Sequence, residues 1–235
     1  MSRKISVLIA AYNEEKRVGN VLKDILKYSK ISEIVVVDDG SVDNTSKVVR
    51  GVKSEKIKLV TLKKNGGKAG AMKRGIRELK GDYVLLLDAD LFNIAKKDLD
   101  VLILPVLNGK VDISISIRPN SPPICKIMDC EFISGERFMK REVLLDVFDR
   151  KIGGYGIEFA MNKKILEKGY SFIFVRVFYT QAMKAAKLGF WKGNWKELKM
   201  TFEILKANNV SIFGFFGQFF KMSSISRKLK KQKEL

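Results

Sequence analysis

The sequence contains no histidine and only two cysteines among its 235 residues. Without histidine the usual base at neutral pH is missing, so catalysis by a serine–histidine pair and zinc binding through imidazole are excluded. Any general base must then be a carboxylate. Cys125 and Cys130 cannot form a zinc site by themselves, and we expect them to be reduced thiols of a cytoplasmic protein.

Long apolar segments are also missing. No stretch reaches the roughly 18 residues that a membrane-spanning helix needs. Met1 runs directly into the first predicted strand, so we expect no N-terminal signal. Hydrophobic residues make up 46% of the chain and charged residues 30%. This balance, at this length, predicts one globular domain with a sizeable core.

Four apolar runs alternate with segments of helical periodicity in the first 95 residues. Runs of this kind, rich in valine and isoleucine, predict parallel strands that are covered by helices on both faces. Right-handed crossovers then place the carboxyl ends of all the strands at one edge of the sheet. The runs are Ile5–Ala11, Ile34–Val37, Ile57–Leu62 and Tyr83–Leu87.

A polar cluster follows each predicted strand. Taken alone, each cluster has an ordinary structural explanation as a helix cap, a turn, a loop hinge or a solvated acidic turn. Together at one edge they can bind a nucleotide, because carboxylates accept hydrogen bonds from a base or a ribose and a glycine-rich turn lets the backbone approach it. The clusters are Tyr12–Glu14, Asp38–Ser41, Asn65–Lys68 and Asp88–Asp90.

Asp88 and Asp90 are the most informative pair. They end the fourth apolar run and are one residue apart. In an extended chain such residues point the same way, so their carboxylates can converge on one point. Two convergent carboxylates suit a hard divalent ion, Mg²⁺ or Mn²⁺, that carries a phosphorylated ligand.

The order and spacing of these clusters resemble the nucleotide-sugar half of family-2 glycosyltransferases, over about residues 4–95. The segments that carry the resemblance are AAYNEE, VVVDDGSVDNT, NGGKAGAMKRGI and DYVLLLDADL. The resemblance implies the GT-A fold, a Rossmann-like and mostly parallel α/β sheet. It also implies that Asp39 contacts the nucleobase, that Asp88 and Asp90 hold the metal and that Asp90 takes part in catalysis.

The second half carries a weaker resemblance to the same family and to glucosyl-3-phosphoglycerate synthases. Ser134–Val147 resembles the segment that covers the donor sugar, and Gly153–Ile165 resembles an acceptor-side loop leading into a helix. Glu158 matches the acidic residue that relatives place beside the acceptor hydroxyl, and the lack of histidine favours it as the base. The alternative is an acid that simply stabilises the first turn of a helix.

The chain departs from the family where several relatives complete the metal site with a late histidine. Gln181 stands at that position, followed at the family spacing by Lys184 and Lys187. A glutamine carbonyl oxygen can bind Mg²⁺ or Mn²⁺, and the lysines can meet a diphosphate; the alternative is ordinary solvated loop residues. The predicted donor-binding residues are Ala11, Tyr12, Asn13, Glu14, Asp39, Gly67, Lys68, Asp88, Ala89, Arg137, Lys184 and Lys187; the predicted metal ligands are Asp88, Asp90 and Gln181.

The net charge of +19 is concentrated towards the C-terminus. Thr180–Leu235 holds 12 lysines and arginines against three glutamates, a net charge of +9. Ser211–Met222 predicts a helix with one continuous aromatic side, and a basic tail follows. Such a helix suits the surface of an anionic membrane, but the same pattern is typical of a helix that packs on a core.

We therefore predict a metal-dependent enzyme that moves a hexose from a UDP- or GDP-sugar to an acceptor hydroxyl or a lipid phosphate. Residues 1–209 would form the catalytic domain, with a donor half (1–95) and an acceptor half (96–209), and residues 210–235 an amphipathic tail. The alternative acceptor is a soluble phosphorylated molecule. A non-catalytic nucleotide- or nucleic-acid-binding protein is the remote alternative, and we expect no nucleic-acid partner because the tail lacks a recognition module. A cytoplasmic location is expected, with peripheral contact at the cytoplasmic face of a membrane if the tail binds lipid.

Overall fold

The computed structural model describes residues 3–131, 133–148, 156–181 and 212–233. The predicted alternation of strands and helices is confirmed in the first half of the chain. The strands are β1 (Ile5–Ala11), β2 (Ile31–Asp38), β3 (Ile57–Thr61), β4 (Tyr83–Asp88), β5 (Leu91–Phe92), β6 (Ile113–Ile117), β7 (Arg137–Lys140), β8 (Phe172–Arg176) and β9 (Thr180–Gln181). The helices are α1 (Val18–Leu26), α2 (Thr45–Gly51), α3 (Gly67–Ile76), α4 (Lys96–Leu107), α5 (Pro123–Ile127), α6 (Arg141–Val147), α7 (Ile157–Lys168) and α8 (Ile212–Lys233).

Seven strands form one sheet in the order β3-β2-β1-β4-β7-β6-β8. All neighbouring pairs are parallel except those of β7, which runs antiparallel to both β4 and β6. The chain leaves β1 towards β2 and β3 on one side and returns to β4 on the other. Ligands of open α/β sheets bind at such a switch point, at the carboxyl ends of the strands.

The apolar runs are continuous because the sheet is buried on both faces. Leu8, Val35 and Leu86 belong to one hydrophobic cluster. Their neighbours Val7, Val36 and Leu85 belong to the other. Successive side chains of a strand point to opposite faces, so each strand contributes to both clusters. Apolar and polar residues therefore do not alternate along these strands.

Helix α1 buries the face that the periodicity predicts, with Val18, Val21, Leu22 and Ile25 inside. The start of α2 also lies where the polar residues predict it. Here the Asp43 carboxylate accepts a hydrogen bond from the Thr45 backbone N–H at 2.9 Å, whereas the Asn44 side chain makes no cap bond. Asp43 therefore stabilises this helix start.

Helix α8 is longer than the predicted Ser211–Met222 helix, with 22 residues. The predicted aromatic side meets two environments: Phe219 and Met222 are buried in the core, whereas Phe213, Phe216 and Phe220 are exposed. The helix packs mainly on β8, and the backbone N–H of Phe174 in β8 donates to Ser226 Oγ at 3.0 Å. None of the helices that the structure describes is long and apolar enough to cross a membrane.

Candidate active site

A pocket of about 850 Å³ lies at the carboxyl ends of β1, β2 and β4. The N-terminal turns of α3 and α7 close its sides, so the parallel strands and two helix starts all face the same space. The polar clusters of the first half meet here as the topology predicts. The lining residues are Ala10, Ala11, Tyr12, Glu14, Asp39, Asn65, Gly66, Gly67, Lys68, Ala71, Asp88, Ala89, Asp90, Arg118, Ile133, Gly135, Gly156, Ile157, Glu158, Phe159 and Gln181.

Asp39 lies at one end of the pocket and is itself buried. Burial raises the pKa of its carboxyl, although hydrogen bonds from the Gly66 and Gly67 backbones oppose this shift. The Gly66 N–H donates to Asp39 Oδ1 at 2.8 Å. Gly40 has φ +71°, and a Cβ there would lie 2.6 Å from the Lys64 carbonyl carbon. Only glycine therefore lets the loops after β2 and β3 approach closely enough to hold Asp39.

Asn13 does not line the pocket but joins two loops behind it. Its backbone N–H donates to Ser41 Oγ at 2.9 Å, and its Oδ1 accepts from the Val42 N–H at 3.0 Å. Asn13 adopts φ +55°, a conformation that asparagine tolerates better than most residues. It fixes the position of its neighbours Tyr12 and Glu14, which do line the pocket.

Asp88 and Asp90 converge as the spacing predicts. Gln181 Nε2 donates to Asp88 Oδ2 at 3.0 Å and to Asp90 Oδ1 at 2.9 Å, so one amide bridges both carboxylates. Gln181 reaches them because β9 pairs with β5, which directly follows Asp90. The second half of the chain thus supplies a residue that orders the acidic pair of the first half.

The amide of Gln181 can have only one orientation in this arrangement. Arg118 donates to Gln181 Oε1, and a guanidinium has no acceptor, so this atom must be the oxygen. The carboxylates accept only, so the atom that faces them must be the nitrogen. Metal binding through the Gln181 oxygen stays a prediction, and it would require the amide to leave Arg118 and turn.

Lys68 lies between two acids of the pocket. Its Nζ is 2.7 Å from Asp88 Oδ1 and 2.7 Å from Glu158 Oε1. Burial disfavours the ammonium, but both carboxylates together raise its pKa above the ordinary value. Burial likewise opposes the charge of Asp88, yet Lys68 holds the pKa of Asp88 below its usual value. Asp88 and Lys68 are therefore both charged.

Gly135 makes this close approach possible. A Cβ at position 135 would lie 2.5 Å from Lys68 Nζ and 2.9 Å from Asp88 Oδ1. Real Cβ atoms do not approach this closely, so any side chain there would push Lys68 away from Asp88. Gly135 lies in the Ser134–Val147 segment that resembles a donor cover, but no local sequence pattern distinguishes it from other glycines.

Glu158 lies in the first turn of α7, and Gly156 precedes the helix with φ +106°. Ile157, Ala160, Met161 and Ile165 of the same helix are buried, as the periodicity predicts. Their burial turns Glu158 towards the pocket and Lys68. Glu158, for which the sequence left open a role as a base or as an acid that stabilises the helix start, thus lines the pocket. Its role as a base stays a prediction.

A second cluster of charges lies beside the first. Arg118 pairs with Glu131 and with Glu136 at 3.0 Å, and both glutamates are buried. Burial raises the pKa of Glu136 in spite of Arg118. Arg118 is not among the predicted site residues, because nothing in the local sequence shows that two distant glutamates enclose it.

Arg137 does not line the pocket. It is fully buried and donates to Asn162 Oδ1 at 2.7 Å and to the Ser134 carbonyl at 2.9 Å. Burial lowers the pKa of its guanidinium to about 10. Arg137 therefore joins the segment around Gly135 to α7, beneath the predicted donor site.

The acidic pair fits a hard divalent ion. Asp88 and Asp90 line a common space, where Asp90 is buried and Asp88 is partly buried. In the part of the chain that the structure describes, no group of three or more carboxylates, thiols or imidazoles forms a site of its own. An ion held by two carboxylates keeps positions for ligand oxygens and water, as Mg²⁺ prefers.

The sequence matches the family model described as Glycosyl transferase family 2 over residues 6–169. That match covers more than half of the chain and includes every motif of the pocket up to Glu158. The chain belongs to glycosyltransferase family 2. The glycosyltransferase prediction, made from the motif order, is confirmed.

Curated relatives of this glycosyltransferase differ in their full length. Dolichyl-phosphate beta-glucosyltransferase of Homo sapiens is 38% identical over 102 residues, which are 38% of this chain and 32% of that protein. Poly-beta-1,6-N-acetyl-D-glucosamine synthase of Staphylococcus aureus is 33% identical over 177 residues, 71% of this chain and 41% of that protein. The matched regions thus span well under half the length of these relatives.

The fold of this glycosyltransferase also occurs in solved structures. Glucosyl-3-phosphoglycerate synthase from Mycobacterium tuberculosis, in complex with Mn²⁺, UDP and glucosyl-3-phosphoglycerate, superposes with a TM-score of 0.70. It is 21% identical and covers 89% of this chain, which in turn covers 81% of that structure. The same enzyme in complex with Mg²⁺ and UDP gives a TM-score of 0.70. The predicted GT-A fold and the similarity to this enzyme are confirmed.

The structure brings most predicted site residues together in one pocket. Those that line it are Ala11, Tyr12, Glu14, Asp39, Gly67, Lys68, Asp88, Ala89, Asp90, Glu158 and Gln181. Asn13 and Arg137 lie behind or beneath it, and Lys184 and Lys187 lie outside the described residues. The sequence did not reveal Arg118 and Gly135, whose importance depends on residues distant in the chain.

Proposed function

We propose that this glycosyltransferase moves a hexosyl group from a UDP- or GDP-sugar to an acceptor hydroxyl or a lipid phosphate, with Mg²⁺ or Mn²⁺ bound at Asp88 and Asp90. The observation that carries the proposal is the convergence of Asp39, the acidic pair, Lys68 and Glu158 on one pocket. The complexes of the structurally similar synthase with Mn²⁺ or Mg²⁺ and UDP support this choice of donor and ion.

Each residue would have a distinct task. Asp39 would accept hydrogen bonds from the nucleobase, and Lys68 would exchange its contact with Asp88 for one with the donor diphosphate. The ion would supply positive charge where negative charge develops on the departing diphosphate. Asp88 and Asp90 would hold it, and Gln181 would keep their oxygens aligned. Lys184 and Lys187 would add positive charge at the diphosphate.

Glu158 would act on the acceptor. It lines the pocket, and a carboxylate there can accept the proton of an acceptor hydroxyl. A lipid phosphate is already ionised and needs no base, so Glu158 would then only orient it. The acceptor therefore decides whether Glu158 is a base.

The relatives support two classes of acceptor. The name dolichyl-phosphate beta-glucosyltransferase indicates a lipid phosphate, and the synthase complex with glucosyl-3-phosphoglycerate indicates a soluble phosphorylated acceptor. We favour the lipid phosphate because α8 has exposed phenylalanines and a basic end. Residues 1–209 would carry out the reaction, and residues 210–235 would bring it to the cytoplasmic face of a membrane.

Hydrolysis and transfer assays test this proposal. The full chain is incubated with UDP- or GDP-hexose, with Mn²⁺, Mg²⁺ or EDTA, and with either a polyprenyl phosphate or phosphoglycerate. We expect nucleotide release only with a divalent ion, and transfer to the polyprenyl phosphate. Transfer to phosphoglycerate alone would select the soluble acceptor, and the absence of donor binding by calorimetry would refute the proposal.

A further inference from the structure

Helix α8 presents a second apolar surface besides the one that packs on the core. Phe213 is 89% exposed, and Phe216 and Phe220 are 52% and 53% exposed. At about 100° per residue these three side chains fall within roughly 60° of the helix circumference. Phe219 and Met222, which pack on the core, point to the neighbouring side. The exposed phenylalanines therefore adjoin the packed side of the helix, with the Phe220 ring edge-to-face against that of Phe219, but point to solvent.

Helix α5 lies beside this aromatic stripe. Met128, the residue after α5, accepts a hydrogen bond from Ser223 through its carbonyl, and its sulfur contacts Arg227 at 3.8 Å. On a helical projection Ser223 and Arg227 lie on either side of Phe216, so α5 borders the stripe. Ile124 and Ile127 of α5 are 52% and 74% exposed. Two isoleucines thus extend the apolar surface onto a second element.

Basic side chains flank these phenylalanines on one side of α8 and beyond their C-terminal end. Lys221, Arg227, Lys228 and Lys231 are exposed, and with the three phenylalanines they occupy about 140° of the α8 circumference. Lys126 is exposed on α5. The nearby acid Asp129 is paired with Arg176 and Lys230. The surface is apolar at its centre and positive at its border.

We propose that this surface, the α5–α8 face formed by Ile124, Ile127, Phe213, Phe216 and Phe220 with its basic border, binds an anionic lipid bilayer. Aromatic and aliphatic side chains insert at the headgroup boundary, while lysine and arginine contact acidic headgroups. A second copy of the chain fits poorly, because a twofold contact would bring two identical basic borders together in a chain of net charge +19.

The segment that follows α5 leads from this face to the pocket. Cys130, two residues after Met128, contacts the Phe219 carbonyl through its sulfur at 3.8 Å, and Ile133 is partly exposed where it lines the pocket. A bilayer on the α5–α8 face would therefore lie beside the pocket opening. The entry of a lipid-linked acceptor from this side rests on the proposed function. The binding of the α5–α8 face to lipid does not depend on it.

Vesicle sedimentation of the full chain, without donor or metal, tests the face. We expect binding to vesicles that contain phosphatidylglycerol, weaker binding at high salt, and little binding to pure phosphatidylcholine. Ile124→Ser with Ile127→Ser should weaken binding about 10-fold, because two inserted aliphatic side chains are lost. Leu145→Ser is the matched control, since Leu145 is exposed on α6 and α6 follows the opposite end of the sheet.

A label on α5 gives a second measurement. Both native cysteines are buried, so Ile127→Cys can carry an environment-sensitive fluorophore, and its emission should shift to the blue with anionic vesicles. The emission of a label at Leu145→Cys should not shift.

Equal vesicle binding by the isoleucine double variant and the wild type, with no shift at position 127, would overturn the proposal. The proposal would also be overturned if light scattering showed concentration-dependent dimerisation of the wild type and the isoleucine double variant did not dimerise. Retained lipid binding without transferase activity would refute only the proposed function.

Discussion

Two clusters of charges lie side by side in the pocket, and they are built differently. In the first cluster Lys68 keeps 36% of its side chain exposed, and its partners Asp88 and Glu158 keep 18% and 16%. Arg118 is only 11% exposed, and its partners Glu131 and Glu136 are almost completely buried. Gln181 contacts both clusters, since its oxygen accepts from Arg118 and its nitrogen donates to the acidic pair.

The difference between the clusters indicates different tasks. An ion pair that water can reach exchanges partners at little cost, and exposed pairs add about 0–1 kcal/mol to stability. A buried pair is expensive to break, because the remaining charge stays without a counter-charge. The Lys68 cluster is therefore suited to rearrange around a ligand, whereas the Arg118 cluster holds the frame in which Gln181 is aligned.

The largest expected effect comes from breaking the buried cluster. Arg118→Met leaves Glu131 and Glu136 buried without their arginine, and we expect the free energy of unfolding at neutral pH to fall by about 3–5 kcal/mol. Urea unfolding measures it. Arg176→Met is the control, since Arg176 is 67% exposed in its pair with Asp129, and a loss within about 1 kcal/mol is expected.

The same variant predicts the direction of a pH effect. The pKa of Glu136 is already raised by burial and should rise further without Arg118. A carboxyl whose pKa is higher in the folded than in the unfolded state binds its proton more strongly when folded. The variant should therefore lose stability as the pH rises through that pKa and regain part of it at lower pH. A deficit that does not change with pH would contradict this explanation.

Breaking the accessible cluster should impair turnover rather than stability. Glu158→Gln removes the carboxylate beside Lys68, and we expect turnover with a hydroxyl acceptor to fall about 10²-fold while donor binding changes little. Glu167→Gln, at an exposed position of the same helix, serves as the control. Near-native turnover at saturating substrates would assign Glu158 to structure or indicate a phosphate acceptor.

Asp90→Asn tests whether the acidic pair beside Lys68 binds the divalent ion. One of the two converging carboxylates loses its charge, so Mn²⁺-dependent donor binding should weaken by roughly 10-fold or more. Calorimetry with and without EDTA measures it, and the fold should survive. Asp82→Asn, before the other end of β4, should bind as the wild type does. Equal binding by both variants would remove Asp90 from the metal site.

The smallest effect should come from displacing Lys68 without removing it. Gly135→Ala places a methyl group where Lys68 Nζ contacts Asp88, and we expect donor binding to weaken by several-fold, up to about 10-fold, since one charge-assisted contact must shift. Gly70→Ala is the matched control, because a Cβ at position 70 meets nothing within 4 Å. Donor binding that is unchanged in Gly135→Ala would mean that the Lys68–Asp88 contact does not matter for the donor.

The sequence predicted the first half of the sheet well because its information is local. The buried runs gave β1 to β4, and the spacing of Asp88 and Asp90 gave their convergence. The Arg118 cluster could not be predicted, since its partners come from positions 131, 136 and 181 and only the folded chain brings them together. The division of α8 into packed and exposed apolar residues could not be predicted either, because periodicity does not show which apolar residues meet the core.

The antiparallel strand β7 has a consequence for how the chain can be divided. β7 pairs with β4 on one side and with β6 on the other, so strands of the predicted donor and acceptor halves share one sheet. A fragment that ends at residue 95 would leave β4, with its run of valine and leucine, as an uncovered edge. Such edges recruit other chains. During synthesis, therefore, the half with the stronger family motifs remains prone to aggregate until the later strand arrives.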